Sequence, residues 1–231
     1  MFLIKNLKYK MSRDRFLQRK KAVLLKLDKS STGKWDKKIK RLCEKVNSLN
    51  DFYTTSSCSG RIIFMIEQEK KGKDLFLKTW HDKISFNILK NALKELSCSE
   101  QTSLSSSLNK KVKVLTSSNK VQCKVNNIII SSDNLIKFKL EPPIIHIACR
   151  DMKKATFMLE KAKGVGFKRS SILTSDRNII IELNTSDRME FPIIKNGKIL
   201  VDDEFLKLVI KMSNEKLNRG WVKIKKLEKI V

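Results

Sequence analysis

Residues 53–61 read YTTSSCSGR and place six hydroxyls (Tyr53, Thr54, Thr55, Ser56, Ser57, Ser59), the Cys58 thiol, Gly60 and Arg61 in nine consecutive positions. The apolar run Ile62 to Ile66 follows at once. A hydroxyl taken out of water needs a hydrogen-bond partner, so a polar run feeding a buried strand is unusual for plain core. Gly60 admits backbone angles closed to other residues, and Arg61 offers a planar cationic fork for phosphate or carboxylate. Two readings are open: a ligand-binding edge, or a β-hairpin corner whose serines bond their own backbone. Three further polar clusters stand at strand or helix ends: Trp80-His81-Asp82, His146 with Cys149-Arg150, and Lys168-Arg169-Ser170-Ser171. His81 suits either a backbone-bonded strand end or a group titrating near neutrality. Trp80 suits either core packing or stacking on a base. His146, in the middle of the apolar run IIHIACR, reads as a satisfied core histidine. Cys149 reads as a small buried hydrophobe rather than a nucleophile. None of the clusters shows a nucleophile–base–acid order, a metal-ligand spacing or a known phosphate loop.

The elements that must position these groups follow from periodicity. Apolar spacing predicts helices over 13–28, 35–49, 85–96 and 151–163, and from Asp203 to the end. Strands are expected over 61–67, 74–80, 112–115, 120–125, 127–131 and 135–140, in IIHIACR, and over 168–173, 178–184 and 189–194. Asn196-Gly197 reads as a tight turn. Gly164-Val165-Gly166 is the one GxG, and it closes a helix instead of opening one after a strand. It is therefore a helix cap, which argues against the Rossmann dinucleotide fold. The segments FYTTSSCSGRIIFMIE and FKRSSILTSDRNIIIEL echo one another, by duplication or by chance. The expectation is an α+β fold, a mixed sheet of two helix–hairpin units with a central cleft. Residues 1–12 are read as an extension and 13–231 as a single domain, with a half boundary near the serine-rich stretch 97–111.

Composition narrows the partners. The 231 residues, 41% hydrophobic and 32% charged, suit a globular protein with a proper core. No apolar run has bilayer-spanning length, so no membrane partner is expected. MFLIKNLKYK has neither a long apolar centre nor a cleavage site, and Met11 is a second candidate start. Five widely spaced cysteines without a CxxC pair indicate a reducing, cytoplasmic compartment and no metal. The net charge is +26, and residues 1–50 hold sixteen basic side chains against four acidic. Bias from an AT-rich genome would spread lysine evenly, whereas this clustering points to a polyanion such as RNA.

The motifs YTTSSCSGRI (53–62), WHD (80–82), FKLEPPIIHIACRD (138–151), AxxMLxxA (155–162), GFKRSSI (166–172) and ELNTSDRMEFP (182–192) occur in that order. In them the chain resembles the tRNA wybutosine-synthesizing protein 3 family. Asn184 departs from the family pattern, where a longer basic residue is expected. The resemblance implies an S-adenosyl-L-methionine-dependent methyltransferase without a Rossmann fold. Its implied substrate is the tricyclic wyosine-type guanosine at position 37, in the anticodon stem-loop of phenylalanine tRNA, methylated at N4.

On that resemblance, His81 is assigned as the base that takes the proton from the reacting nitrogen, with Asp82 orienting it. Thr54, Ser56, Ser57, Ser59, Gly60 and His146 are assigned to the cofactor. Tyr53, Arg61, Trp80, Arg150, Arg169 and Ser170 are assigned to the substrate, the aromatics by stacking. Lysines of the first two helices and the last are expected to grip the tRNA backbone. Two rivals are a non-catalytic basic RNA-binding protein and an RNA enzyme of another kind, a nuclease or acyltransferase using Cys58 or Cys149.

Overall fold

The computed structural model describes residues 14–25, 36–66, 75–97, 122–125, 128–131, 134–174 and 178–231, with backbone alone for 122–125 and 128–131. In chain order the elements are α1 (Arg15–Leu24), α2 (Lys40–Ser48), β1 (Phe52–Cys58), β2 (Arg61–Ile66), β3 (Leu75–Trp80) and α3 (Phe86–Leu96). Next come β4 (Gln122–Val125), β5 (Ile128–Ser131), β6 (Ile136–Glu141), β7 (Ile144–Cys149) and α4 (Met152–Gly164). The chain ends with β8 (Ser171–Thr174), β9 (Ile179–Asn184), β10 (Met189–Lys195), β11 (Lys198–Ile199) and α5 (Asp203–Ile230). Two compact units emerge, each assembled from separated segments.

Unit one comprises Met1–Gly60, Pro142–Ser186 and Asn218–Val231. Its sheet has the order β1-β7-β9-β8 with every pairing antiparallel. Helix α2 buries Leu42, Cys43 and Val46 at helical spacing, and α4 buries Ala155, Met158, Leu159 and Ala162. Helix α2 packs on β1 and α4 on β9 and β7, which bring Ile145, Ile147, Ile181 and Leu183 fully into the core. Helix α4 starts at Asp151, whose carboxylate accepts from Lys154 N at 2.8 Å. It stops where Gly166 takes φ +105° and Phe167 N returns to Ala162 O at 3.0 Å. The GxG is thus a cap, as its placement predicts. Gly220 of α5 presses on Pro143, since a Cβ there would come within 2.7 Å of the proline ring.

Unit two comprises Arg61–Glu141 and Asp187–Leu217. Its five-stranded sheet has the order β11-β10-β6-β2-β3, again antiparallel throughout, beside the small β4-β5 pair. Strand β6 alternates: Ile136, Phe138 and Leu140 are buried while Lys137, Lys139 and Glu141 reach outward. Aromatic rings link the core, with Phe138 6.0 Å from Phe64 and 5.0 Å from Phe191, and Phe191 5.4 Å from Phe205. Ser85 caps α3 through Ile88 N, and Asp202 caps α5 through Phe205 N. Asn214 of α5 holds both backbone groups of Ile84, at 3.1 and 2.9 Å.

The α+β class stands, but three expectations change. The single mixed sheet is replaced by antiparallel sheets, because no pair of neighbouring strands among the described residues is joined by a crossover in the same sense. The polar run is not a hairpin corner: β1 and β2 belong to different sheets and do not pair. Only the second member of the sequence echo, β8–β9, is a paired hairpin. Helix 35–49 begins at Lys40, since Asp36 to Ile39 form a turn with Ile39 N and Lys40 N bonded to Asp36 O. The expected strand over 112–115 and residues 98–111 of the serine-rich stretch lie outside the described residues.

Candidate functional site

Strand β1 divides its hydroxyls by face. Thr54 is buried, its N–H and hydroxyl both tied to the Asn47 amide, at 2.7 Å and 3.1–3.2 Å. Ser57 accepts from Cys43 Sγ at 3.4 Å. Ser59 is fully buried, with N–H and Oγ on the Asp36 carboxylate at 2.9 and 3.1 Å and its carbonyl accepting from Trp221 Nε1 at 3.1 Å. Gly60, at φ +99°, is buried behind it. Thr54, Ser57 and Ser59, expected at the cofactor, thus hold hydrogen bonds that join β1 to its own unit.

Thr55 and Ser56 are exposed. A bulge between Thr54 and Ser56 adds Thr55 as an extra residue opposite β7. Tyr53 then pairs with Ala148 and Ser56 with His146, and these partners are two residues apart. The bulge thus brings Tyr53 and Ser56, three apart in sequence, onto one face of the sheet. The pairing continues from His146 to Glu182 in β9 and from Glu182 to Ser171 in β8, so one cross-strand row reads Ser56, His146, Glu182, Ser171.

Three members of that row are bonded in series. Ser56 Oγ lies 2.7 Å from His146 Nδ1, and His146 Nε2 lies 3.0 Å from Glu182 Oε2. Asn184 Nδ2 donates to the other oxygen of Glu182 at 3.1 Å. His146 retains 28% side-chain exposure and Glu182 22%. The core reading of His146 is corrected: its neighbours Ile145 and Ile147 enter the core while it faces the other way. Oδ1 of Asn184 and Oγ1 of Thr185 are buried without a hydrogen-bond partner among the described residues, an arrangement that in native proteins calls for a water or a ligand.

Beside the row is a cavity of about 140 Å³ lined by Phe16, Arg19, Tyr53, Ala148, Arg150 and Ile179 among others. The Phe16 and Tyr53 rings are 5.2 Å apart, and the Arg150 guanidinium lies 4.9 Å from the Phe16 centroid. Burial raises the Tyr53 phenol above its ordinary value, against a smaller pull from Arg19. Arg150 is a clasp as well as a wall: it reaches Asp14 at 2.6 Å, Asp51 at 2.7 Å and the Asn50 carbonyl at 3.4 Å. Those bonds hold Asp14 below the usual carboxylate range. Asp51 is held down first by Lys154, at 2.8 Å, and then by Arg150. The thiol of Cys149 is pushed up to about 12, chiefly by burial, and is not a nucleophile at neutral pH.

The remaining expected residues divide between the units. Ser170 is buried, donating to Phe167 O at 2.6 Å and accepting from Asn184 N at 3.2 Å, while the Arg169 side chain is exposed. Arg61, Trp80, His81 and Asp82 belong to unit two. Arg61 is paired with Glu141 at 2.6 Å, and Trp80 meets Phe64 edge-on at 5.5 Å. His81 is half-buried and Asp82 exposed. Sequence reasoning missed Glu182 altogether. Its one signal was a carboxylate alternating with apolar residues in NIIIEL, as His146 does in IIHIACR.

An aromatic and arginine cavity thus stands beside a hydrogen-bonded Ser–His–Glu row. The family model described as Methyltransferase TYW3 matches residues 18–231, and the chain belongs to that family of methyltransferases. Relatives from Methanocaldococcus jannaschii and Archaeoglobus fulgidus are 34% and 32% identical, over 89% and 87% of this chain and 91% and 85% of theirs. Both are named tRNA(Phe) 7-((3-amino-3-carboxypropyl)-4-demethylwyosine(37)-N(4))-methyltransferase. A solved structure of a Pyrococcus horikoshii protein aligns with a TM-score of 0.70 at 26% identity, covering 93% of both chains. One from Aeropyrum pernix, at 20% identity and TM-score 0.60, shares the fold.

Proposed function

We propose that the protein transfers a methyl group from S-adenosyl-L-methionine to N4 of the demethylated, wyosine-type tricyclic base at position 37 of phenylalanine tRNA. The observation that carries this reading is family membership over almost the whole chain, together with relatives named for that reaction at up to 34% identity. The molecule's chemistry agrees with it. A net charge of +26 suits a tRNA backbone, and the Phe16–Tyr53 pocket suits a flat base.

The acceptor groups of unit one fit the donor. Asn184 Oδ1 and Thr185 Oγ1 lack partners among the described residues, and an ammonium or ribose hydroxyl would satisfy them. Asn184 and Thr185 would therefore hold the polar groups of the cofactor. When bound, the donor supplies an electrophilic methyl on a sulfonium, whose carbon–sulfur pair stays with sulfur. The chain's own contribution is to bind the base, orient its reacting nitrogen and receive the proton that nitrogen loses.

Calorimetry separates this reading from a non-catalytic RNA-binding protein. Saturable binding of S-adenosyl-L-methionine is expected, together with tighter binding of the demethylated stem-loop than of an unmodified one. No cofactor binding, with equal affinity for the two stem-loops, would favour the binding protein.

A further inference from the structure

The polarity of the Ser56–His146–Glu182 row is fixed by its end. A carboxylate only accepts, so His146 Nε2 carries the hydrogen donated to Glu182 across 3.0 Å. In the neutral imidazole that leaves Nδ1 as an acceptor and makes the Ser56 hydroxyl the donor at 2.7 Å. The hydrogen of Ser56 is thereby turned into the row, and its lone pairs face outward at the exposed end. Asn184 Nδ2 engages the second carboxylate oxygen and restrains its rotation. The ring nitrogens meet Ser56 from β1 and Glu182 from β9, while Thr55 Oγ1 donates to the His146 backbone carbonyl at 3.4 Å.

The bulge supplies the second half of the argument. The row of Tyr53 and Ala148 lies two residues along β7 from the row of Ser56 and His146, a step of about 7 Å on the same face. The outward lone pairs of Ser56 are therefore one pleat from the aromatic cavity of Phe16 and Tyr53. A flat ring seated over that cavity would bring an edge toward Ser56.

We propose that Ser56, backed by His146 and Glu182, is the proton-accepting edge of the base site, and that it reads the reacting N–H of a heteroaromatic base seated over the cavity of Phe16, Arg19 and Arg150. This rests on the methyl-transfer reading. The nitrogen lone pair forms the new bond to the methyl carbon, and the N–H pair then falls to nitrogen. The released proton goes to Ser56 Oγ as the hydroxyl's own proton moves to His146 Nδ1. The imidazolium so formed lies against the Glu182 carboxylate and returns its proton to solvent. Ser56 is the group that touches the base; His146 and Glu182 act through it. Once methylated, the nitrogen has no hydrogen to offer Ser56, so the row also distinguishes substrate from product.

The test uses the full chain without methyl donor. Binding of an anticodon stem-loop carrying the N–H base is compared with one carrying the N-methyl base. The wild type should favour the N–H form by about tenfold, the worth of one hydrogen bond to a polarised acceptor. Ser56→Ala and His146→Gln should abolish that preference, and Ser56→Thr should restore part of it. Single-turnover transfer should show an acidic limb in wild type that His146→Gln removes and His81→Ala leaves in place. Ser56 is exposed, so Ser56→Ala carries the test even where His146→Gln fails to fold. Wild-type preference and limb persisting in folded Ser56→Ala and His146→Gln would overturn the row. A limb removed by His81→Ala alone would also overturn it. A wild type that binds neither stem-loop and transfers no methyl would instead sink the function itself.

Discussion

His146 owes its chemistry to which way a strand residue points. Ile145 and Ile147 on either side of it are fully buried, and alternation turns the imidazole to the opposite face, where Glu182 meets it. Neither strand's own pattern reveals that meeting, because register is set by pairing across the sheet. This is why His146 reads as core from sequence and Glu182 is not seen at all. Hydroxyl-rich β1 is a milder case. Its density of polar side chains is visible, but the fact that Thr54 and Ser59 bond Asn47 and Asp36 is not. Cys149 is the opposite, since its apolar context already marks it as an inert thiol. Its value of about 12 predicts no alkylation of the folded protein by iodoacetamide at pH 8, read by peptide mass spectrometry. Rapid modification at Cys149 under native conditions would contradict the burial and reopen a cysteine mechanism.

At the scale of elements, helices were the more legible. Their apolar stripes are local, and in the structure the side chains of Ser85, Asp151 and Asp202 cap their starts. The connection from β1 to β2 was not legible. Ser59-Gly60 resembles a hairpin turn, yet it carries the chain from one sheet to another, and only long-range pairing decides between the two. The bulge at Thr55 is equally silent in sequence. Deleting Thr55 should regularise β1 and leave Tyr53 and Ser56 two residues apart, still on one face. Methyl transfer should then persist with far-UV circular dichroism nearly unchanged; activity lost in the folded variant would show that the shared face is not what the bulge provides. In α5, Gly220→Ala drives a Cβ to 2.7 Å from the rigid Pro143 ring. A loss of about 1–3 kcal/mol is expected, seen as a fall of several degrees in Tm, and an unchanged Tm would refute the close contact.

For the whole molecule, charge governs both partner and pH range. Asp14 and Asp51 have carboxyls held below the ordinary carboxylate range, Asp14 by Arg150 and Asp51 by Lys154 and then Arg150. A lowered carboxyl stabilises the fold above its unfolded value, and that stabilisation is lost as pH falls through the folded value. Stability should thus be insensitive to this clasp above about pH 5 and drop below about pH 4. Asp14→Asn should flatten that acid limb in a thermal-melt series; an unaltered limb would place the acid sensitivity elsewhere. Exposed Lys225, Lys226 and Lys229 near the end of α5 extend the basic surface. Removing a lysine that contacts a phosphate should lower the salt slope of tRNA binding by roughly 0.7–0.9. The most direct measurement follows a labelled methyl group from S-adenosyl-L-methionine into phenylalanine tRNA bearing the demethylated base, with the product nucleoside resolved by mass spectrometry. One methyl on N4 of the tricyclic base at position 37 is the expected result. Label on any other atom, or none on a tRNA that the protein demonstrably binds, would contradict it.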